Sequence, residues 1–84
     1  MQEAHPHVHE IHIVVEVDGA DKHVAFDHSP VTGRAIREKA SAPLTDDLTK
    51  LDHGKPEGGN IGLDDKVEIR DGERFIALPT GTVS

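Results

Sequence analysis

The sequence predicts an α+β domain, in which one mixed sheet of four to five strands carries a single helix across it. Three observations lead there. Apolar residues alternate at a period of two at Ile11, Ile13, Val15 and Val17, and a second apolar strand pattern runs over Glu73 to Leu78. A capped segment of helical period lies between them, from Thr32 to Ser41. Asp18-Gly19 and Asp71-Gly72 mark tight turns, where glycine supplies a positive φ.

Met1 to His7 is polar and carries Pro6; residues 1–8 are expected to form a loose arm ahead of a domain spanning 9–79. In the first strand His12, Val14, Glu16 and Asp18 alternate with the apolar set. After the Asp18-Gly19 turn, Lys22 to Asp27 forms the second strand, with Val24 and Phe26 facing one way. Ser29-Pro30-Val31-Thr32 announces the helix. Either Ser29 or Thr32 caps it, and Thr32 is favoured because Gly33 tolerates the first turn. Ala35, Ile36, Lys39 and Ala40 share a stripe, with the Lys39 stem lying along the surface, while Arg34, Arg37 and Glu38 are expected to point to water. Pro43 is expected to end the helix.

A weaker strand follows around Asp47 to Leu51. His53 to Asn60, with three glycines and a proline, is expected to be loop without regular structure. Ile61 and Leu63 re-enter the core, Asp64-Asp65 opens a short turn, Val67 to Arg70 forms a short strand, and Glu73 to Leu78 the last one. The first and last strands are richest in aliphatics, so they should lie centrally, side by side and parallel. That order of elements is the β-grasp arrangement. Residues 80–84 form an expected flexible tail.

Composition narrows the function. The chain has 84 residues, about a third of them apolar, enough for one thin core built of aliphatics around two Phe. Without cysteine there is no disulfide, no zinc ribbon and no thiol nucleophile. Sixteen acids against nine bases give a net charge of −7, which argues against nucleic acid and anionic lipid as partners and for a basic protein surface. No secretory signal or membrane span is expected, and a cytoplasmic location fits. No catalytic set is legible, and an enzyme is not expected. Asp46-Asp47 and Asp64-Asp65 are adjacent pairs whose side chains diverge, with Asp65 better suited to capping a turn. His5, His7 and His9 project to one side of an extended chain and are weak candidates for a metal. Lys22, Lys39, Lys50, Lys55 and Lys66 are surface amines. Outward-facing candidates on the sheet are Val14, Ala25, Thr49 and Ala77, too small for a strong apolar patch.

Three stretches carry a resemblance. Val17-Asp18-Gly19, the run from Pro30 to Ile36 (PVTGRAI) and the run from Val67 to Pro79 (VEIRDGERFIALP) resemble the bacterial multiubiquitin domain, a ubiquitin-like module, over about Ile11 to Gly81. The resemblance implies a protein modifier served by an adenylating enzyme, a conjugating-type enzyme and a JAB-type metallopeptidase, acting on a target protein, in systems some of which are linked to antiphage defence. No cofactor is implied for the chain itself. It also implies that Leu78, Pro79 and Thr80 present the tail and that Gly81 supplies the conjugated carboxylate after cleavage before Thr82; use of the tail unprocessed, ending at Ser84, is the alternative. A sulfur carrier would share the fold but ends in Gly-Gly, and a non-covalent adaptor would leave the tail inert.

Overall fold

A computed structural model describes residues 10–80. The fold is α+β, a mixed five-stranded sheet with one short helix, compatible with a β-grasp. Its elements are β1 (Ile11–Val17), β2 (Ala20–Phe26), β3 (Val31–Thr32), α1 (Gly33–Lys39), β4 (Asp47–Asp52), β5 (Lys55–Glu57), β6 (Lys66–Val67) and β7 (Arg74–Leu78). The large sheet has the order β2-β1-β7-β4-β5, and β3 pairs with β6 in a separate two-stranded sheet. β1 and β7 are central and parallel, with Val15 beside Phe75 and Val17 beside Ala77, as their apolar content demands. Every other pair is antiparallel.

Alternation decides which face is buried. Ile13, Val15 and Val17 from β1, Phe75 and Ala77 from β7, and Leu48 from β4 point inward, where Ile36 of α1 and Ile69 meet them. Each such large aliphatic contributes about 1.5–3 kcal/mol by leaving water. Thr32 is the N-cap, its hydroxyl accepting from the Ala35 N–H at 3.1 Å. Asp18 and Gly19 both have positive φ (52° and 79°), the geometry of a two-residue hairpin turn.

Several expectations are corrected. The helix is shorter than Thr32–Ser41 and is not closed by Pro43. Ser41 turns left-handed (φ 60°), and the Ser41 and Ala42 N–H groups donate back to Glu38 O and Arg37 O, closing the helix before the proline is reached. The 53–60 segment is not all loop. His53 and Gly54 (φ 54° and 81°) form a second tight turn, so Lys55–Glu57 pairs with β4 as β5. Pro56 is admitted because β5 is an edge strand. Of the strand expected over Val67 to Arg70 only Val67 is strand, paired as part of β6 (Lys66–Val67). Beyond it the ladder is replaced by side chains, with Ile69 N–H donating to Ser29 Oγ and Arg70 N–H to Glu73 Oε1.

The largest correction is Arg37. Expected in water, it is 2% exposed. Its Nε donates to Asp46 O (3.1 Å), and Nη2 donates to Ile61 O (2.6 Å) and Asn60 Oδ1 (3.3 Å). Asn60 Oδ1 also accepts from the Leu48 N–H at 2.8 Å, and the Ile61 N–H donates to Leu48 O at 2.7 Å. One guanidinium thus fastens α1, the entry to β4 and the 60–61 segment. Burial lowers its pKa while the charges of Asp47 and Asp46 raise it, and an arginine stays protonated through such opposition. Gly33 lies against the same junction; a Cβ there would collide with Gly62 O and approach Arg37 Nη1 and Ile61 Cγ2, both at 2.9 Å.

Truncating Arg37 strands buried carbonyls and opens a cavity, so Arg37→Ala is expected to lower stability by about 3 kcal/mol. Gly33→Ala overpacks the same junction at a cost of about 2 kcal/mol. Urea unfolding followed by far-ultraviolet circular dichroism measures both, each expected as a lower midpoint at unchanged slope.

Candidate functional site at the exit of the last strand

β7 begins at the half-buried Arg74, runs through the middle of the sheet and ends in water. Lys50 clamps its head, its Nζ 2.9 Å from Glu73 Oε2 and 3.8 Å from Glu57 Oε1. The hydrogen bond to Glu73 raises the Lys50 pKa above the ordinary amine value, with desolvation acting the other way. A raised lysine pKa stabilises the fold below the ordinary value near 10 and loses that contribution as pH rises through the higher folded-state value. Phe75 is fully buried and Ala77 is 1% exposed, whereas Leu78 is 52% exposed and Pro79 and Thr80 are exposed.

The exit runs beside the chain entering β4. Leu78 is paired with Asp47, and the Thr80 hydroxyl donates to Thr45 O at 2.6 Å. Leu44, the residue before Thr45, is the other exposed large hydrophobic side chain among the described residues, at 37%. Leu78, Pro79 and Thr80 therefore stand together at the surface. Gly81 and Thr82 lie outside the described residues, as do His5, His7 and His9. Among the described residues no three histidine or acidic side chains come together to hold a metal ion. Asp46 and Asp47 do diverge, one 7% exposed and the other out in water, and Asp65 caps its turn, its Oδ2 accepting from the Gly62 N–H at 2.8 Å.

The outward face of the sheet differs from the expected one. Ala77 is inward, because Phe75 two residues before it must be buried and strand parity carries Ala77 with it. Ile76 and Leu78 take the outward places, with Thr49 beside Ile76 and Leu51 beside Arg74. Val14 and Ala25 are half-buried outward residues as expected. Ile76 and Leu51 were missed as surface residues; the one large aromatic in β7 was the signal that would have fixed the parity. Glu16 borders this face next to Ile76 and Asp47 next to Leu78, while Arg74 is paired with Asp21 at 3.0 Å.

A concavity of about 390 Å³ lies between the end of β2 and α1. Phe26 and Ala35 contribute its apolar wall, and Lys39 Nζ stands 5.4 Å from the Phe26 ring centroid. On its rim His28 Nδ1 lies 2.7 Å from Asp27 Oδ1. That hydrogen bond, reinforced by the histidine's charge, lowers the Asp27 pKa.

Family models, curated proteins and solved structures were compared with the chain, and none matches it. No helix of the described residues is long and apolar enough to cross a membrane.

Two measurements check this geometry. The Asp27 carboxyl is expected to titrate below the ordinary carboxylate value near 4 and to return to it in His28→Ala, as read by carbon NMR. The sign follows from the depressed folded-state pKa: the pair's contribution is present above the ordinary value and fades as pH falls through the lowered one. Thr80→Val removes one exposed hydrogen bond, so global stability is expected to change by less than about 1 kcal/mol, while the Thr80 amide exchanges faster.

Proposed function

We propose that the chain is a ubiquitin-like protein modifier, activated at its C-terminal carboxylate and joined to a target protein. The observation that carries the reading is the path of β7. A strand anchored in the centre of the sheet by Phe75 and Ala77 delivers an exposed Leu78-Pro79-Thr80 segment directly toward Gly81. A rigid base with an exposed leash suits a chain end that an enzyme must enclose. The sequence resemblance over Ile11 to Gly81 supports the same reading and supplies the partner classes, an adenylating enzyme, a conjugating-type enzyme and a JAB-type metallopeptidase.

In this reading, hydrolysis before Thr82 frees the Gly81 carboxylate. One carboxylate oxygen attacks the α-phosphorus of ATP and pyrophosphate leaves. A nucleophile of the enzyme or target then attacks the acyl carbon of the adenylate, and AMP departs with the bonding electron pair. Glycine places no Cβ in the path of that attack. The chain supplies the carboxylate and the docking surface, and its partners supply the catalytic groups. A cytoplasmic setting and a role in antiphage defence belong to the proposal.

A second reading, non-covalent adaptor, is favoured by the outward apolar residues Leu51, Ile76 and Leu78 on a sheet face that α1 does not cover.

Co-expression with neighbouring genes followed by intact-mass measurement separates the first two. Conjugation predicts loss of Thr82-Val83-Ser84 and a target heavier by the shortened chain, with both the adduct and the target shift lost in Gly81→Glu. A full-length chain with no adduct, and a Gly81→Glu variant that behaves as wild type, would overturn it in favour of the adaptor.

A further inference from the structure

The groove between β2 and α1 has features that the tail does not explain. β2 is the sheet's outer strand on that side, paired only with β1, so among the described residues its outer row of backbone N–H and C=O groups has no strand partner. Its seven residues present an edge of about 23 Å at 3.3 Å per residue. Exposed edges of this kind are ready templates for an added strand. Beside this edge the concavity of about 390 Å³ offers Phe26 and Ala35 as an apolar floor. That volume accommodates one or two side chains of an added strand.

Charge selects the occupant. Three carboxylates line the groove, from Glu10, Asp27 and Glu38. Against them stand Lys39, drawn over the Phe26 ring, and His28, drawn to Asp27. Both basic side chains are thus engaged within the groove, and among the described residues Glu10 and Glu38 have no basic partner in ion-pair contact apart from the exposed His12 at 3.6 Å from Glu10. The whole chain carries a net charge of −7, which favours approach of a cationic segment.

We propose that the β2 edge and the adjoining groove bind an extended segment of a partner protein that places an apolar side chain over Phe26 and Ala35 and a lysine or arginine against Glu10 and Glu38. The added strand supplies main-chain hydrogen bonds, the floor takes one apolar side chain, and the rim selects the basic neighbour. This surface is separate from the Leu78–Thr80 exit, so the binding is expected whether or not Gly81 is conjugated.

The test is selection of a displayed random peptide library on the full-length chain, followed by titration of a synthetic selected peptide into the nitrogen-15-labelled protein. Selected sequences are expected to place Leu, Ile, Val or Phe next to Lys or Arg, and to shift the amides of Ala20–Phe26, Ala35 and Lys39. Glu38→Lys is expected to weaken binding about tenfold with an unchanged melting curve, and Lys39→Glu to tighten it while the chain stays folded. High salt is expected to weaken binding, since the rim charges are exposed. Selected peptides that lack basic residues, that shift Leu51, Ile76 and Leu78 instead, or that ignore both charge changes would overturn the proposal. So would failure to enrich any peptide, a stable dimer through β2 in sedimentation, or nuclear Overhauser contacts showing the chain's own residues 1–9 lying over Phe26.

Discussion

The structure depends on the parallel pairing of β1 with β7. Two strands at opposite ends of a short chain are both too apolar to sit at an edge, so they lie together in the middle. Parallel neighbours cannot be joined by a tight turn. Everything between them must cross from one end of the sheet to the other, and α1 with its flanking segments makes that crossing. The consequence is one covered sheet face, one open face, and a last strand that leaves from the centre of the sheet.

A seven-residue helix does not hold itself in place, because nucleation is costly and few hydrogen bonds repay it. Ile36 supplies the apolar anchor and Arg37 the polar one. By reaching Asp46 O, Ile61 O and Asn60 Oδ1, the guanidinium satisfies acceptors in two segments that lack regular structure at those points. A charge buried on neutral oxygens is expensive to place and expensive to remove. The same group that makes the junction specific therefore makes it sensitive, and Gly33 is confined to the size of glycine by the same packing.

Function follows from what this arrangement leaves exposed. Phe75 and Ala77 hold β7 in the core, and the exposed Leu78 marks where the strand stops contributing to it. The modifier reading uses that exit, and the adaptor reading uses the open face carrying Ile76 and Leu51. The edge groove near Phe26 shares no residue with either, so the proposed tail-handling enzyme and the proposed docked segment use separate surfaces of one small domain.

The sequence by itself determined the fold class, the central place of β1 and β7, the Thr32 cap and the Asp18-Gly19 hairpin. Each rests on local chemistry, namely alternation, a hydroxyl three residues before its amide, or a glycine free to take positive φ. Of the candidate site, the exit through Leu78, Pro79 and Thr80 was legible for the same reason. Only the tertiary structure decided the rest. Arg37 reads as a solvent residue until carbonyls 9 and 24 positions away close around it. β5 reads as loop until β4 offers Lys55–Glu57 a partner, and the strand expected through Arg70 stops where Ser29 and Glu73 take its amides. Ala77 and Ile76 exchange faces once Phe75 fixes the parity. The physical reason is common to all four: the deciding partner is distant in the chain, and no local propensity reports it.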